Sequence, residues 1–354
     1  MIATGLAALD GVLDAGKLRV ARRLLLSGAQ PTPDALRARG ASPSREQLAG
    51  LASIEPLATR VAGVVVAGDG ARRLVIALAD GQRIETVLMG DGGVCLSTQV
   101  GCAVGCRFCA SGIGGLVRNL TVEELLEQVV HARRLEPALK RVVYMGIGEP
   151  THNLDAVLEA ASILMADGDV HERSQTLSTV GSLRALARLR EASVRPSLAL
   201  SVHAARDDLR WTLLPHAARE PIAELVAAAE DHAASTGREV QYATALLGGV
   251  NDGDDHADAL VSLLDGKRGY VNVIPWNAVA ELPFARPSRE RAIAFAARLR
   301  AGGLFATLRW SAGLTADAAC GQLRRGRGAS PQRRSSSERS EMGTTRGSST
   351  LTPS

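Results

Sequence analysis

Three of the five cysteines in the chain lie within eight residues, at Cys102, Cys106 and Cys109. A Cys-x3-Cys-x2-Cys loop can wrap three thiolates around one corner of a four-iron, four-sulfur cluster, with each thiolate on its own iron. The fourth iron then lacks a protein ligand, and an open coordination position is typical of catalytic rather than structural metal sites. The spacing therefore predicts a 4Fe-4S cluster that takes part in chemistry.

Two other interpretations of this triplet remain open, a zinc site and thiols that only fill a core. Structural zinc takes four protein ligands and usually shows paired Cys or Cys/His motifs. The only histidine near the triplet in sequence, His131, lies in a helical pattern. Inert packing is unusual for a loop that contains Gly101, Gly105 and Gly112, since such a loop has little apolar bulk around it.

A second candidate motif, Met-Gly-Ile-Gly-Glu-Pro at residues 145–150, follows a predicted strand. Gly146 and Gly148 let the backbone approach a ligand closely. Glu149 supplies a carboxylate for a ligand ammonium group. A turn of this kind also occurs as an ordinary strand exit. Downstream of a cluster loop, at the same end of the same sheet, it predicts a seat for an amino acid moiety.

The composition limits the class of protein. The 354 residues, 46% of them hydrophobic, suffice for one large α/β domain with a small appendage or for two average domains. We recognise neither a signal peptide nor an apolar run long enough to cross a bilayer. Five cysteines that are clustered rather than spread as a framework indicate a reducing compartment. We therefore expect a cytoplasmic monomer without membrane contact.

The positive charge is concentrated at the end of the chain. Residues 324–354 hold seven Arg and two Glu, a surplus of five positive charges, against a net charge of +4 for the whole chain. The remaining residues are therefore close to neutral, and the bulk charge does not reveal an RNA-binding face. The segment 324–354 is rich in Ser, Thr and Gly, which predicts a disordered tail. It acts either as a loose RNA tether or as solvated chain without a role.

The hydrophobic pattern predicts two small regions ahead of the main domain. Residues 1–55 form a helical accessory region with short helices at 18–26 and 45–51. Residues 56–93 form a small β-meander, in which glycine-containing turns separate the strands. The predicted strands of the meander are 61–66, 74–78 and 84–88.

Residues 94–323 alternate short strands with amphipathic helices, which predicts an α/β fold with a partial (βα)6 barrel. A capping-box pattern at Thr121 and Glu124 opens the helix predicted at 121–135. In such folds the reactive groups lie at the C-terminal ends of the strands. The predicted strands are 94–99, 141–145, 175–178, 197–202, 240–246 and 270–274.

On these motifs the chain resembles the radical S-adenosylmethionine (SAM) enzymes, whose signature loop matches residues 102–109. The wider runs 95–102 and 109–121 are similar to one branch of these enzymes, the adenine-C2 RNA methyltransferases of the RlmN type. The C8-methylating Cfr type is closely related to that branch. The similarity covers roughly residues 60–323. It continues in short motifs at 146–150, 178–181, 200–204, 250–252, 274–277 and 317–323.

The resemblance implies methylation of C2 of an adenosine in 23S rRNA, with tRNA as a further RNA substrate, and two SAM molecules per turnover. Cys320 is expected to accept a methyl group and become S-methylcysteine. The second SAM binds the open iron and yields the radical that activates this methyl. Cys95 is expected to resolve the product through a transient disulfide with Cys320, and Glu85 to accept the ring proton. The reaction also needs an electron donor such as flavodoxin or ferredoxin.

By the same match, several residues at strand ends are expected to bind SAM. They are Gly148, Glu149, Ser178, Ser201, Val202, His203 and Asn277. Singly, each also has a structural explanation: a core histidine for His203, and helix caps for Ser178 and Asn277. Cys95 and Cys320 are, singly, consistent with packing thiols. Two other functions stay open, a paralogue that methylates another RNA or the adenine C8 position, and a non-catalytic RNA-binding protein whose cysteines hold a metal.

Overall fold

The computed structural model describes residues 5–324, so the predicted disordered tail lies outside the described residues except for Arg324. The strands are β1 Arg60–Val66, β2 Arg72–Ala77, β3 Arg83–Leu88, β4 Gly93–Cys95, β5 Gln99–Gly101, β6 Leu116–Asn119, β7 Arg141–Tyr144, β8 Gln175–Thr179, β9 Ser197–Ser201, β10 Val240–Leu246, β11 Gly269–Pro275 and β12 Ala306–Leu308. The helices are α1 Ala15–Leu26, α2 Pro33–Ala38, α3 Arg45–Ala52, α4 Val122–Leu135, α5 Leu154–Asp167, α6 Leu183–Glu191, α7 Asp207–Leu213, α8 Ile222–Thr236, α9 Asp254–Leu264 and α10 Arg289–Ala301.

Ten of these strands form one mixed sheet. The antiparallel strands β1, β2 and β3 join it through the antiparallel pair β3–β4. From β4 onward the neighbours β7, β8, β9, β10, β11 and β12 are all parallel. Each step between successive parallel strands passes through at least one helix, which gives six β–α crossovers. The predicted α/β fold with a partial barrel is confirmed.

Two predictions about the strands need correction. The strand predicted at 94–99 is two short strands, β4 and β5, because the intervening backbone bonds elsewhere. Ser97 N donates to Gln128 Oε1 at 2.9 Å, and Thr98 N donates to Ile147 O at 2.8 Å. Strands β6 and β12 were not predicted. Strand β6 pairs antiparallel with β5 outside the main sheet, and β12, which is three residues long, pairs in parallel with β11 at the edge of that sheet.

The main hydrophobic core lies between the helices and the parallel sheet. Helix α4 begins with the predicted capping box, in which Thr121 Oγ1 accepts from Glu124 N and Glu124 Oε2 accepts from Thr121 N. The buried Arg133 of this helix donates to the carbonyls of Leu26, Leu139 and Gly168. It thereby fastens the N-terminal helical region to the barrel. Within residues 5–324, none of the helices has both the length and the apolar character needed to cross a bilayer.

Candidate active site

One cavity at the C-terminal ends of the parallel strands brings most of the predicted site residues together. Small side chains of the strands, among them Ala243 and Ala245 of β10, leave room for a ligand above the sheet. Three predicted residues, Glu85, Cys95 and Val202, do not line this cavity. The predicted residues that do line it are Cys102, Cys106, Cys109, Gly148, Glu149, Ser178, Ser201, His203, Asn277 and Cys320.

The loop that carries the three cysteines is wound tightly on itself. A Cβ atom on Gly112 would lie 2.9 Å from the Cα of Gly105, so two turns of the loop touch where neither residue has a side chain. The Trp276 Nε1–H donates to Phe108 O at 2.7 Å and ties the loop to the end of β11. On its other side, Arg107 N donates to the carbonyl of Leu213 at 3.0 Å. The loop is therefore held in one shape by backbone contacts.

The three thiols lie in an environment that disfavours their ionisation. Burial raises the pKa of Cys102 to about 12 and also raises the pKa of Cys106 and Cys109. For Cys106, the negative charges of Cys109 and Cys102 add to the effect of burial. A metal cation at this position would compensate these charges, and thiolates are the ligands that iron–sulfur clusters take. The donor set therefore fits a cluster.

Within residues 5–324, no three Cys, His, Asp or Glu side chains converge closely enough to hold a single metal ion. Each thiolate of a 4Fe-4S cluster ligates a different iron, so its ligands need not meet at one point. The spread of the three thiols along one wall of the cavity is compatible with that requirement.

Glu149 is buried at the cavity wall, directly after the exit of β7. Its Oε1 accepts from the hydroxyl of Thr151 at 2.7 Å, and its Oε2 accepts from Val180 N at 3.0 Å. These donors fix the orientation of the carboxylate, which lies where it can accept a hydrogen bond from a ligand ammonium group. Gly148 is required beside it, because φ is +113° and a Cβ would lie 2.7 Å from Thr98 Oγ1.

His203 follows β9 in a left-handed backbone conformation, with φ at 59°. Asn251 supports it by donating from Nδ2 to the His203 carbonyl at 2.8 Å. The backbone N–H of Ala245 donates to His203 Nδ1 at 3.1 Å, so the neutral ring carries its proton on Nε2. Burial, and then the positive charge of Arg210, lower the pKa of His203 to about 3. His203 therefore offers the cavity a neutral N–H donor.

Arg210 of α7 is fully buried beneath the site and was not singled out from the sequence. Its Nε donates to Val202 O at 3.2 Å, and its Nη2 donates to the carbonyls of Val180 and Ser201. The guanidinium thereby joins the ends of β8 and β9. An arginine in an amphipathic helix is ordinarily exposed, so the sequence pattern carried no signal for this role.

Asn277 connects the end of β11 to the segment that carries Cys320. Its Nδ2 donates to the Cys320 carbonyl at 3.0 Å and to Ser311 Oγ at 2.9 Å. Its Oδ1 is buried and has no hydrogen-bond partner among the described residues. A buried acceptor of this kind is costly unless a ligand supplies a donor, which fits the predicted contact to SAM.

The cluster loop and the Cys320 segment are also bonded directly to one another. Ala110 N donates to Gly321 O at 2.8 Å, and Ser111 Oγ donates to Leu323 O at 2.7 Å. These bonds join residues that follow Cys109 to residues that follow Cys320. Two cysteine motifs more than 200 residues apart in sequence thus meet at one wall of the cavity.

Cys95 lies on the other side of Cys320 from the cluster loop. Both thiols line a second, smaller cavity together with Met145 and Arg309. Burial raises the pKa of Cys95 to about 12, and the negative charge of Cys320 adds to the shift. All five cysteines are free in this structure. The position of Cys95 is compatible with the predicted pairing to Cys320.

Glu85 is buried in β3 and forms an ion pair with the buried Arg73. Its Oε2 also accepts from Arg324 N at 2.9 Å, while Arg73 Nε donates to Ala316 O at 2.8 Å. The pair therefore contacts the chain on both sides of Cys320. As a proton acceptor, Glu85 would first have to leave its bond with Arg73.

Comparison with known proteins agrees with this geometry. A model of the radical SAM superfamily matches residues 96–261. A probable RNA methyltransferase of Methylibium petroleiphilum is 50% identical over 258 residues, 73% of this chain and 73% of that protein. One of Azoarcus sp. is 50% identical over 256 residues, 72% of this chain and 74% of that protein. A radical SAM methyltransferase crystal structure from Sphaerobacter thermophilus is 39% identical, with a TM-score of 0.78, and covers 88% of this chain and 98% of its own.

Proposed function

Because the chain belongs to the family of radical SAM RNA methyltransferases, we propose that it methylates C2 of an adenosine through a methyl group carried on Cys320. The RNA substrate in this proposal is 23S rRNA, with tRNA as a further substrate. The observation that carries the proposal is the direct bonding of the Cys320 segment to the cluster loop, at a cavity that both share.

In this proposal Cys102, Cys106 and Cys109 hold a 4Fe-4S cluster, and the remaining residues of the cavity bind SAM. When bound there, the cluster and SAM would supply a carbon radical able to remove a hydrogen atom from a methyl group. Glu149 accepts from the SAM ammonium group, and His203 donates from Nε2. The rest of the SAM seat is lined by Gly148, Ser178, Ser201 and Asn277. Val202 does not line the cavity; its carbonyl accepts from Arg210 Nε, and this bond supports the end of β9 beneath the seat.

We assign the methyl group to Cys320 because this residue lines the same cavity as the cluster ligands and a thiolate is a nucleophile. A thiolate attacks the SAM methyl carbon directly, whereas the electron-poor C2 of adenine cannot. Once it has lost a hydrogen atom, the carbon on the Cys320 sulfur bonds to C2, and the adduct then gives up one electron and the C2 proton. Cys95 attacks the Cys320 sulfur, a disulfide forms, and the carbon–sulfur bond breaks with its electron pair left on carbon, which takes a proton to become the methyl group. An external thiol reductant returns the disulfide to two thiols. Glu85 accepts the proton from C2 once Arg73 releases it. A donor such as flavodoxin or ferredoxin supplies the electron.

The test is methyl transfer by purified protein that has been loaded with iron and sulfide in the absence of air. Unmodified 23S rRNA and tRNA transcripts are incubated with trideuteromethyl SAM and dithionite, and their nucleosides are analysed by mass spectrometry. We expect labelled 2-methyladenosine. Label at C8 would contradict the C2 assignment, and unlabelled RNA would contradict the proposed function.

Cys320→Ala is the matched control for the methyl carrier. The variant should keep the brown colour of the cluster and its bleaching by dithionite, because Cys320 is outside the ligand set. It should transfer no methyl group to RNA. Loss of the cluster in this variant would overturn the assignment of Cys320 as methyl carrier.

A further inference from the structure

Trp310 lies on the surface directly beyond the C-terminal end of β12, with 40% of its side chain exposed. Two guanidinium groups lie over its ring: those of Arg286 and Arg289 are 5.5 Å and 5.4 Å from the ring centroid. Within residues 5–324, neither Arg289 nor Arg309, the residue before Trp310, is ion-paired with a carboxylate. An exposed indole among arginines is a surface that favours a flat, negatively charged partner.

This surface adjoins the Cys320 network. Arg309 lines the smaller cavity together with Cys95 and Cys320. Ser311, the residue after Trp310, accepts from Asn277 Nδ2, which also donates to the Cys320 carbonyl. The tryptophan is therefore one residue away from the hydrogen bonds that hold the methyl carrier. A partner that contacts Trp310 therefore lies next to the segment that forms the smaller cavity with Cys320.

We propose that Trp310 stacks on an unpaired base next to the target adenosine, while Arg286, Arg289 and Arg309 contact its phosphates. The inference rests on the proposed function, since it assigns the RNA-contact surface of the same reaction. An enzyme that modifies a base must take that base out of its stack, which leaves the neighbouring base without a partner. Aromatic rings and arginine planes are what proteins use to hold such splayed bases.

The chain offers a matched control on the same strand. Phe305 precedes β12 and is 70% exposed, so it is an aromatic side chain at the opposite end of that strand from Trp310. Its ring packs edge-on against Tyr270, with centroids 6.2 Å apart, and it does not line the cavity. Phe305→Ala removes an even more exposed aromatic ring at the other end of β12 from the proposed RNA surface.

The experiment measures binding of the cluster-loaded full chain to a twelve-nucleotide oligoadenylate and to an unmodified 23S rRNA transcript. Trp310→Ala should weaken binding about 10-fold, Trp310→Phe should keep most of it, and Phe305→Ala should leave it unchanged. Arg289→Gln should lower the salt slope of binding to the oligoadenylate by about 0.7, as expected for one lost phosphate contact on a single strand. In methylation assays, Trp310→Ala should raise the KM for RNA while RNA-independent SAM cleavage stays at the wild-type rate.

Equal RNA binding by wild type and Trp310→Ala, or equal loss in Phe305→Ala and Trp310→Ala, would overturn this inference and leave the proposed function intact. Wild-type protein that binds no RNA would overturn both. If Trp310→Ala does not fold, Trp310→Phe and Arg289→Gln decide the matter by themselves: wild-type affinity and salt slope in Arg289→Gln would overturn the inference. A two-state thermal transition in each variant establishes that it is folded.

Discussion

The two cysteine-bearing segments of the molecule are held in different ways. The cluster loop, residues 102–109, is held by the barrel through backbone contacts, glycine packing and one side-chain bond, from the Trp276 indole. The segment that carries Cys320 is bonded to the barrel through Asn277 and to residues that follow Cys109, and it is also held by side chains of the antiparallel meander. Asp69 accepts from Gly313 N at 2.7 Å, and Arg73 donates to Ala316 O at 2.8 Å across 243 residues of sequence.

The difference shows why the spacing of the first motif predicts its chemistry alone, whereas the role of Cys320 was predicted only from the resemblance of residues 317–323 to a known family. When three ligands lie within eight residues, the local backbone largely determines how they are arranged. The spacing of these cysteines is therefore enough to predict a cluster. The Cys320 segment has only one short 3-10 turn, at Leu314–Ala316, and takes its position from distant residues. The position of Cys320 beside the cluster loop is established only when the meander and the barrel have joined into one sheet.

The largest expected effect is the loss of methyl transfer, and the two segments differ in whether the cluster is lost as well. Cys106→Ser should abolish both the visible absorption of the cluster and methyl transfer, because the cluster loses one of its three protein ligands. Cys320→Ala should abolish methyl transfer alone. Iron analysis and a visible spectrum of protein purified without air make the comparison. Full iron content in Cys106→Ser would show that the loop is not the ligand set.

The next largest effect is a loss of stability, which tests whether the buried Arg73–Glu85 pair of the meander holds the Cys320 segment in place. Arg73→Met leaves the carboxylate of Glu85 buried without its ion-pair partner, and we expect a loss of roughly 3–5 kcal/mol in the free energy of unfolding. Urea denaturation measures it. The double variant Arg73→Met/Glu85→Leu should recover much of the loss, since no buried charge remains.

Arg298→Met is the control for that variant. Arg298 forms an exposed ion pair with Asp258, and its removal should leave the stability nearly unchanged. If Arg73→Met is as stable as Arg298→Met, the buried pair does not clamp the segment as we describe.

A smaller effect tests the backbone packing of the cluster loop. A Cβ on Gly101 would lie 2.0 Å from Gly115 O, so Gly101→Ala forces the two-stranded β5–β6 ribbon apart. We expect a loss of roughly 1–3 kcal/mol beyond that of Gly115→Ala. Gly115 also has positive φ, at +67°, but open space around it, so its variant isolates the backbone strain from the clash. Thermal denaturation of both variants should show the difference, and equal transitions would contradict it.

Much of the fold followed from the sequence because its central strands are apolar runs with clear ends. The strand predicted at 240–246 is β10 to the residue, whereas β12 was missed because three residues carry no periodic pattern. Of the site, the spacing of residues indicated the cysteine triplet, the glycines and Glu149, whereas Cys95 and Cys320 were indicated by the family resemblance alone. The sequence did not indicate Arg73 and Arg210, which are fully buried and hydrogen-bond to distant parts of the backbone. Arginine is usually exposed, and only the tertiary contacts show that these two are not.

The smallest effect concerns the bond that joins the two segments themselves. Ser111 Oγ donates to Leu323 O at 2.7 Å, and Ser111→Ala removes this bond while the backbone bond from Ala110 to Gly321 remains. We expect a loss of about 1 kcal/mol in stability, the usual contribution of one such hydrogen bond. The cluster should form normally, because Ser111 is not a ligand. Methyl transfer should slow more than RNA-independent SAM cleavage does, since only the former needs Cys320 held against the loop. Equal slowing of both reactions would show that the bond serves the loop alone, and the two segments would then be coupled through the Ala110–Gly321 bond and through the end of β11.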